Sequence, residues 1–270
     1  MTQADRVFAG SVPEIYDQVL VPLIFAPFAA DMAARVERLA PGAVLETAAG
    51  SGAVTRVLLP RLGPEACYAA TDLSQPMLDR AAAVLAGDAR LAWRQADAMA
   101  LPYEDGAFDV VLCQFGVMFF PDRVAAYREA RRVLKPGGRF LLSAWDRVLA
   151  NDFTRAVMDG LRAHFPDDPP SFMARTPHGY HDPTRIEADL RAAGFAEIRV
   201  EPVEAEGQAA SARDPAVGMC QGSPMRGEIE ARDPDGLEPA TDAAAQEVAR
   251  RFGEGPIRGR LRAWVAEGVA

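Results

Sequence analysis

Three acidic residues stand out by position. Glu46, Asp72 and Asp97 fall at or near the ends of three successive apolar segments, "AVLETA", "ACYAATDLS" and "LAWRQADAM". Carboxylates so placed can accept hydrogen bonds from an ammonium, from paired hydroxyls or from an exocyclic amine. Directly after the first segment comes Ala48-Ala49-Gly50-Ser51-Gly52. Glycines there let a backbone approach a ligand closely and reach positive φ. Ala48 stands where such a loop usually carries its first glycine.

These residues need elements to position them. "AVLETA" reads as a short buried strand and "GAVTRVLLPRL" as the helix after it, closed by Gly63-Pro64. "ACYAATDLS" is a second strand and "SQPMLDRAAAVLAG" a second helix. "LAWRQADAM" is a third strand, and Phe108 to Cys113 a fourth. "DRVAAYREARRVLK" is a helix ended by Pro136-Gly137-Gly138, and "RFLLSAW" a fifth strand. Strands alternating with helices imply βαβ units and a mostly parallel sheet. The apolar run "DVVLC" fits a strand covered on both faces.

The flanks are less regular. Residues 14–38 read as helical, with Met32, Val36 and Leu39 at helical spacing and with Pro22 and Pro27 breaking the stretch before them. The proline-rich stretch 147–183 reads as an irregular cap. "DPTRIEADLRAAGF" is a helix, "AEIRVEPVEA" a sixth strand, and residues 212–252 a broken set of helices; "PIRGRLRAWVAEG" alternates weakly with period two and reads as a last strand, with a short helix as the alternative. The expected layout is one domain over 1–270. It has an N-terminal helical lid at 1–40, a ligand-binding core at 41–146, a cap insertion at 147–183, and a C-terminal part at 184–270 with a helical insertion at 212–252.

In a βαβ unit a ligand lies beyond the carboxyl ends of the strands, near the switch in strand order, and the next helix directs free N–H groups at it. A dinucleotide site wants G-x-G-x-x-G. Aligning Gly50 and Gly52 with its first two glycines puts Thr55 at the third, and leaves Glu46 without a role. Three acids facing one cleft suit instead a ligand with an ammonium, ribose hydroxyls and an exocyclic amine, a description that S-adenosylmethionine meets.

At these residues the chain resembles a family. "VLETAAGSG", "YAATDLS", "RQADAMALPYEDGAFDVVLCQFGVMFFPD" and "RRVLKPGGRFLLSAW" are similar to the four successive motifs of class I S-adenosylmethionine-dependent methyltransferases. They are nearest the ubiquinone/menaquinone-biosynthesis-like branch, methyltransferase type 11. The resemblance covers residues 44–145 and extends loosely to 184–205. It implies a Rossmann-like α/β fold: a seven-stranded, mostly parallel sheet with helices on both faces. It also implies site roles. Glu46 would face the methionine ammonium. Ala48, Gly50 and Gly52 would form the loop under the methionine and ribose. Asp72 would take the ribose hydroxyls, with Leu73 and Met77 beside the adenine. Asp97 would accept from the adenine amine, the Ala98 N–H would meet a ring nitrogen, and Met99 would cover a face. Gln114 and Phe115 would border the sulfonium and the substrate, and Tyr16 would close over the cofactor. S-adenosylhomocysteine would be the product form.

Methyl transfer needs an aligned nucleophile, and a base only where that nucleophile carries a proton at neutral pH. Candidate bases or substrate contacts are His178, Tyr180 and His181, in "TPHGYHDP". Their spacing carries no metal pattern, and no metal is expected. The functional expectation is a methyltransferase acting on a small apolar or aromatic molecule. The alternatives are an enzyme of the same fold catalysing cyclisation or rearrangement, a nicotinamide-dependent oxidoreductase, and a non-enzymatic binding partner.

Composition bounds the rest. The chain has 270 residues, 49% of them hydrophobic, and a net charge of −9. That is enough for a large core, and it disfavours nucleic-acid partners. Three widely separated cysteines, Cys67, Cys113 and Cys220, suggest thiols in a reducing cytoplasm. "MTQADRVFAG" does not read as a signal peptide, and no apolar run approaches the roughly 18 residues of a spanning helix. The expected partner is therefore a small-molecule substrate, with no stable membrane insertion; the oligomeric state is open.

Overall fold

A computed structural model describes residue 8 and residues 10–270. The strands are β1 (Ala43–Thr47), β2 (Cys67–Asp72), β3 (Leu91–Gln95), β4 (Phe108–Gln114), β5 (Leu134–Trp145), β6 (Ala196–Ala209) and β7 (Ile257–Val269). They form one seven-stranded sheet in the order β3-β2-β1-β4-β5-β7-β6. β1 to β5 pair in parallel, and β7 runs antiparallel to β5 from Arg139↔Val269 to Trp145↔Ala263. The expected mostly parallel Rossmann-like sheet is therefore present.

The central strands explain their own burial. Val44, Leu45, Val110, Val111, Leu112, Leu141 and Leu142 are almost wholly buried, as strands covered on both faces must be. β3 lies at the end of the order and is only partly covered. β7 alternates buried and exposed residues, with Ile257, Leu261, Ala263 and Val265 all inward.

The chain divides into two compact units. One comprises Phe28–Trp145, Tyr180–Val203 and Ala263–Ala270; it holds β1 to β5 and is called the core unit below. The other comprises Met1–Pro27, Asp146–Gly179 and Glu204–Arg262. It is rich in helices, including Arg213–Gln221, Met225–Arg232 and Leu237–Phe252, the broken set expected at 212–252.

Three sequence expectations need correction. Pro22 and Pro27 do not break the N-terminal segment. The helix runs from Val12 to Glu37, and Tyr16–Phe25 is wound as π-helix with Pro22 inside it. Wider turns let the chain bond past the missing proline N–H, as the Ala26 N–H does to the Val21 carbonyl five residues back. Pro27 sits in the first turn of the α-helix Ala26–Glu37. Its missing donor costs least there.

This continuity also overturns the reading that no apolar run nears spanning length. Val12–Glu37, 26 residues long, is apolar enough to cross a membrane by length and composition. However, 56% of its most apolar window is buried inside the protein, which accounts for that character equally well.

Finally, 147–183 is not irregular throughout, because Asp152–His164 is an α-helix. Its Phe153, Ala156, Val157 and Leu161 are fully buried along one face, and the prolines come only after it.

Leu141→Ala, in the centre of β5, should destabilise the protein by about 2–5 kcal/mol through the cavity it leaves. The urea midpoint measures this. A loss below about 1 kcal/mol would mean the strand is not packed as described.

Candidate active site

The strand order reverses between β1 and β4, and their carboxyl ends flank the crevice where open α/β sheets bind ligands. Both chains leave these strands through left-handed residues that are not glycine. Ala48 follows β1 with φ +51°, and Phe115 follows β4 with φ +54°. Such conformations cost energy and persist where surroundings enforce them. Here the enforcement is visible. A Cβ placed on Gly116 would lie 2.4 Å from the Ala48 Cβ and 2.8 Å from the Cys113 Sγ. The two turns therefore pack against each other, and only glycine fits at 116. The Phe115 N–H donates to the Ser143 carbonyl and hydroxyl, each at 3.2 Å. Its ring stacks on Trp145 with centroids 3.9 Å apart, and Phe28 meets both rings edge-on.

Past Ala48 the loop stays left-handed at Gly50 (φ +57°) and Gly52 (φ +83°). The Gly50 N–H donates to Asp72 Oδ2 at 2.8 Å, which ties the loop to the end of β2. Asp72 Oδ1 accepts from the Ser74 N–H, also at 2.8 Å. Burial raises the Asp72 pKa, against the pull of these backbone donors. Two residues beyond β3, Asp97 Oδ1 accepts from the Met99 N–H at 2.9 Å and holds its own turn. Asp97, Ala98 and Met99 are half-buried. Leu73 is 47% exposed, unusual for a large apolar side chain, whereas Met77 is buried in the core.

Glu46 is the deepest acid. Its Oε2 accepts from the Thr55 hydroxyl at 2.5 Å and the Tyr68 hydroxyl at 2.6 Å. Burial pushes its pKa from 4.5 to about 7; the two hydroxyls oppose the rise and nearby Asp72 adds to it. Thr55, the residue that breaks a dinucleotide pattern, is thus a partner of this carboxylate. Neither Thr55 nor Tyr68 is marked in the sequence as a partner of Glu46, since no short spacing links them to it.

The core unit holds together Glu46, Ala48, Gly50, Gly52, Asp72, Leu73, Met77, Asp97, Ala98, Met99, Gln114 and Phe115. Tyr16 belongs to the other unit, with its ring stacked on Phe25 at 5.0 Å. The candidate bases separate. His178 is buried in that second unit, with Nδ1 2.5 Å from the Asp146 carbonyl oxygen. Tyr180 is buried in the core unit, where its hydroxyl donates to Asp189 at 2.7 Å and the Arg123 guanidinium lies 4.2 Å over its ring. Burial raises the Tyr180 pKa well above the ordinary phenol value. His181 is exposed.

The Methyltransferase domain family matches residues 45–142. Residues 45–142 are thus similar to that family. An uncharacterised protein of Mycobacterium tuberculosis is 40% identical over 109 residues, 40% of this chain and 39% of that one. The ubiquinone/menaquinone biosynthesis C-methyltransferase UbiE of Dinoroseobacter shibae is 41% identical over 121 residues, 43% of this chain and 48% of that one. The chain thus spans less than half the length of these curated relatives. The crystal structure of the YcgJ protein from Bacillus subtilis shares the fold, with a TM-score of 0.57 and 21% identity over 90% of this chain and 98% of that one.

The residues of this stretch fit S-adenosylmethionine. Asp72 accepts from the Gly50 N–H on Oδ2 and from the Ser74 N–H on Oδ1, and a carboxylate has about four acceptor sites, some of which stay open to hydroxyls. The Gln114 Oε1 is buried without a hydrogen-bond partner among the described residues. A buried acceptor of this kind can take a donor from a ligand or from an ordered water.

Two outcomes test this geometry. Ala48→Gly should relieve the left-handed strain and raise stability by up to about 1 kcal/mol in urea unfolding; a clear loss would mean the Ala48 methyl holds the turn. Glu46 has a raised folded pKa, so its stabilising share is complete below pH 4.5 and is lost as pH rises through about 7. Glu46→Gln should therefore flatten the fall of melting temperature over that window, a span on the order of 3 kcal/mol. An unchanged slope would assign it to another group.

Proposed function

We propose that the protein is an S-adenosylmethionine-dependent methyltransferase acting on a small apolar or aromatic molecule by in-line methyl transfer. The observation that carries this reading is the arrangement at the strand switch point. There a left-handed loop tied to Asp72 faces the Gln114–Phe115 turn, with Asp97 beyond β3. The cofactor supplies an electrophilic methyl on a positive sulfur. In this reading Asp72 binds the ribose hydroxyls, and exposed Leu73 and half-buried Met99 flank the adenine. Asp97 and the Ala98 N–H read the adenine edge, and the loop from Ala48 to Gly52 passes under the amino-acid end.

The acceptor's class is supported by the relatives. The Dinoroseobacter shibae protein is named for methylation at carbon in ubiquinone and menaquinone biosynthesis. An electron-rich aromatic ring would need alignment first and proton removal only after transfer. The side chains then have orientation and water exclusion as their main tasks. The Nδ1–H of His178 donates to the Asp146 backbone carbonyl, which fixes its tautomer, and Tyr180 is held by Asp189. We assign the rate to positioning. A cytoplasmic setting is supported by three free cysteines, Cys113 and Cys220 buried.

Calorimetry with S-adenosylmethionine and with NAD tests the cofactor; binding of NAD alone would overturn the reading. Asp72→Ala should weaken S-adenosylmethionine by about 10–100-fold, the loss of two hydrogen bonds to a charged acceptor. An unchanged affinity would remove Asp72 from the site. Product mass checks the reaction: a methylated product gains one CH₂, and a rearranged one gains nothing.

A further inference from the structure

We infer that Arg123 and Tyr180 are positioning residues that together clamp the turn Val117–Phe119 after β4. The clamp holds Gly116 against Ala48 at the amino-acid end of the cofactor site, an assignment that rests on the cofactor reading above. Arg123 is the first residue of the helix Arg123–Val133. A positive charge at a helix N-terminus opposes the helix dipole. The helix has no use for it there, because Asp122 caps that end by accepting the Ala125 N–H at 2.9 Å. The Arg123 side chain turns back instead. Its Nε donates to the Val117 carbonyl at 3.2 Å and its Nη2 to the Met118 carbonyl at 3.3 Å. Carbonyls that close a helical turn run short of donors, and a cation suits them.

The guanidinium is also fixed on its face, which lies 4.2 Å over the Tyr180 ring. A planar guanidinium can donate along its edge while its face rests on an aromatic ring, which a lysine ammonium cannot do. The ring is itself immobilised. Tyr180 is 1% exposed. Its hydroxyl donates to Asp189, on the helix Pro183–Ala192, at 2.7 Å and lies 3.4 Å from the Tyr127 hydroxyl. Tyr127 follows Arg123 by one turn on the same helix. Two helices thus fix the ring, the ring fixes Arg123, and Arg123 fixes the turn. All of these residues belong to the core unit.

The turn has little room to drift. The Phe119 N–H donates to the Gly116 carbonyl at 2.9 Å, and a single added Cβ at 116 would collide with Ala48. A shift of the turn therefore passes to the loop from Ala48 to Gly52. In the cofactor reading that loop runs under the amino-acid end, whereas the nucleoside is held from β2 and β3. A displacement on the order of 1 Å is enough to cost a large factor in a positioned site. The rival role for Tyr180 is proton transfer, which would use its hydroxyl; the clamp uses its ring.

Three variants separate these roles. Tyr180→Phe keeps the ring, Tyr180→Leu removes it, and Arg123→Met removes both donors at a half-buried position where folding should survive. Hydrogen exchange reads the turn. In Tyr180→Leu and Arg123→Met the Phe119 and Phe120 amides should exchange about tenfold faster, while those of Val44, Leu45 and Glu46 in β1 keep their wild-type rates. Titration calorimetry reads the site. S-adenosylhomocysteine carries the amino-acid end and should bind these two variants about fivefold or more weakly; 5′-methylthioadenosine lacks that end and should stay within about twofold. Tyr180→Phe should match the wild type in both measurements. The clamp is overturned if Arg123→Met leaves the Phe119 and Phe120 amides unchanged, or if it weakens both probes equally or neither. It is also overturned if Tyr180→Phe loses as much as Tyr180→Leu, which would assign the role to the hydroxyl. A wild-type protein that binds neither probe overturns the cofactor reading and the ligand effect together, and the exchange rates then decide the clamp by themselves.

Discussion

The close approach of two turns at the strand switch point organises this protein. Between β1 and β4 the chain departs in opposite directions, so the sheet opens at its carboxyl edge. Each departure requires a residue in the left-handed region, supplied by Ala48 on one side and Phe115 on the other. The turns can meet only because residue 116 has no side chain to collide with the Ala48 methyl. The glycine absent at 48 thus has a counterpart at 116, on the opposing turn. The loop tolerates an alanine because the opposing turn gives up a Cβ. Phe115 is held in turn by Ser143 and by its stack on Trp145, so β5 braces the same point.

From this opening the acids acquire different tasks through depth alone. Asp72 stands at the edge and accepts the Gly50 N–H, which fixes the loop to the strand beside it. Asp97 closes its own turn through the Met99 N–H. Glu46, a pleat lower, is enclosed by Thr55 and Tyr68 and is pushed by burial to titrate near neutrality. A carboxylate in that position joins β1, β2 and the following helix more than it faces solvent. Its protonation is then coupled to folding, because the unfolded chain would hold the same group as an ordinary acid.

The N-terminal segment follows a different logic. A helix as apolar as Val12–Glu37 needs cover on more than one side, and more than half of its most apolar window has it. Pro22 is accommodated by widening the helix over Tyr16–Phe25, and Pro27 falls where a new α-helical turn begins. The sequence shows two helix breakers. The folded chain shows one helix, because local winding adjusts when surrounding side chains pay for it.

Much was settled by the sequence itself. The alternation of apolar segments with amphipathic ones determined the parallel sheet, since the central strands bury both faces. Glycines after β1 and acids at the strand ends marked the candidate site, because those features are local in the chain. The weak period of two in "PIRGRLRAWVAEG" points to a final strand and leaves a short helix open; pairing with β5 makes it a strand. Tertiary structure decided what depends on register and on distant partners. Thr55 and Tyr68 find Glu46 only when two strands and a helix pack. Gly116 is required only once Ala48 lies opposite. Tyr180 and His178, two residues apart in one loop, belong to different compact units. Sequence spacing fixes which residues share a strand or a turn; the pairing of strands fixes which side chains share a height and a face, and chemistry at the site follows from the second.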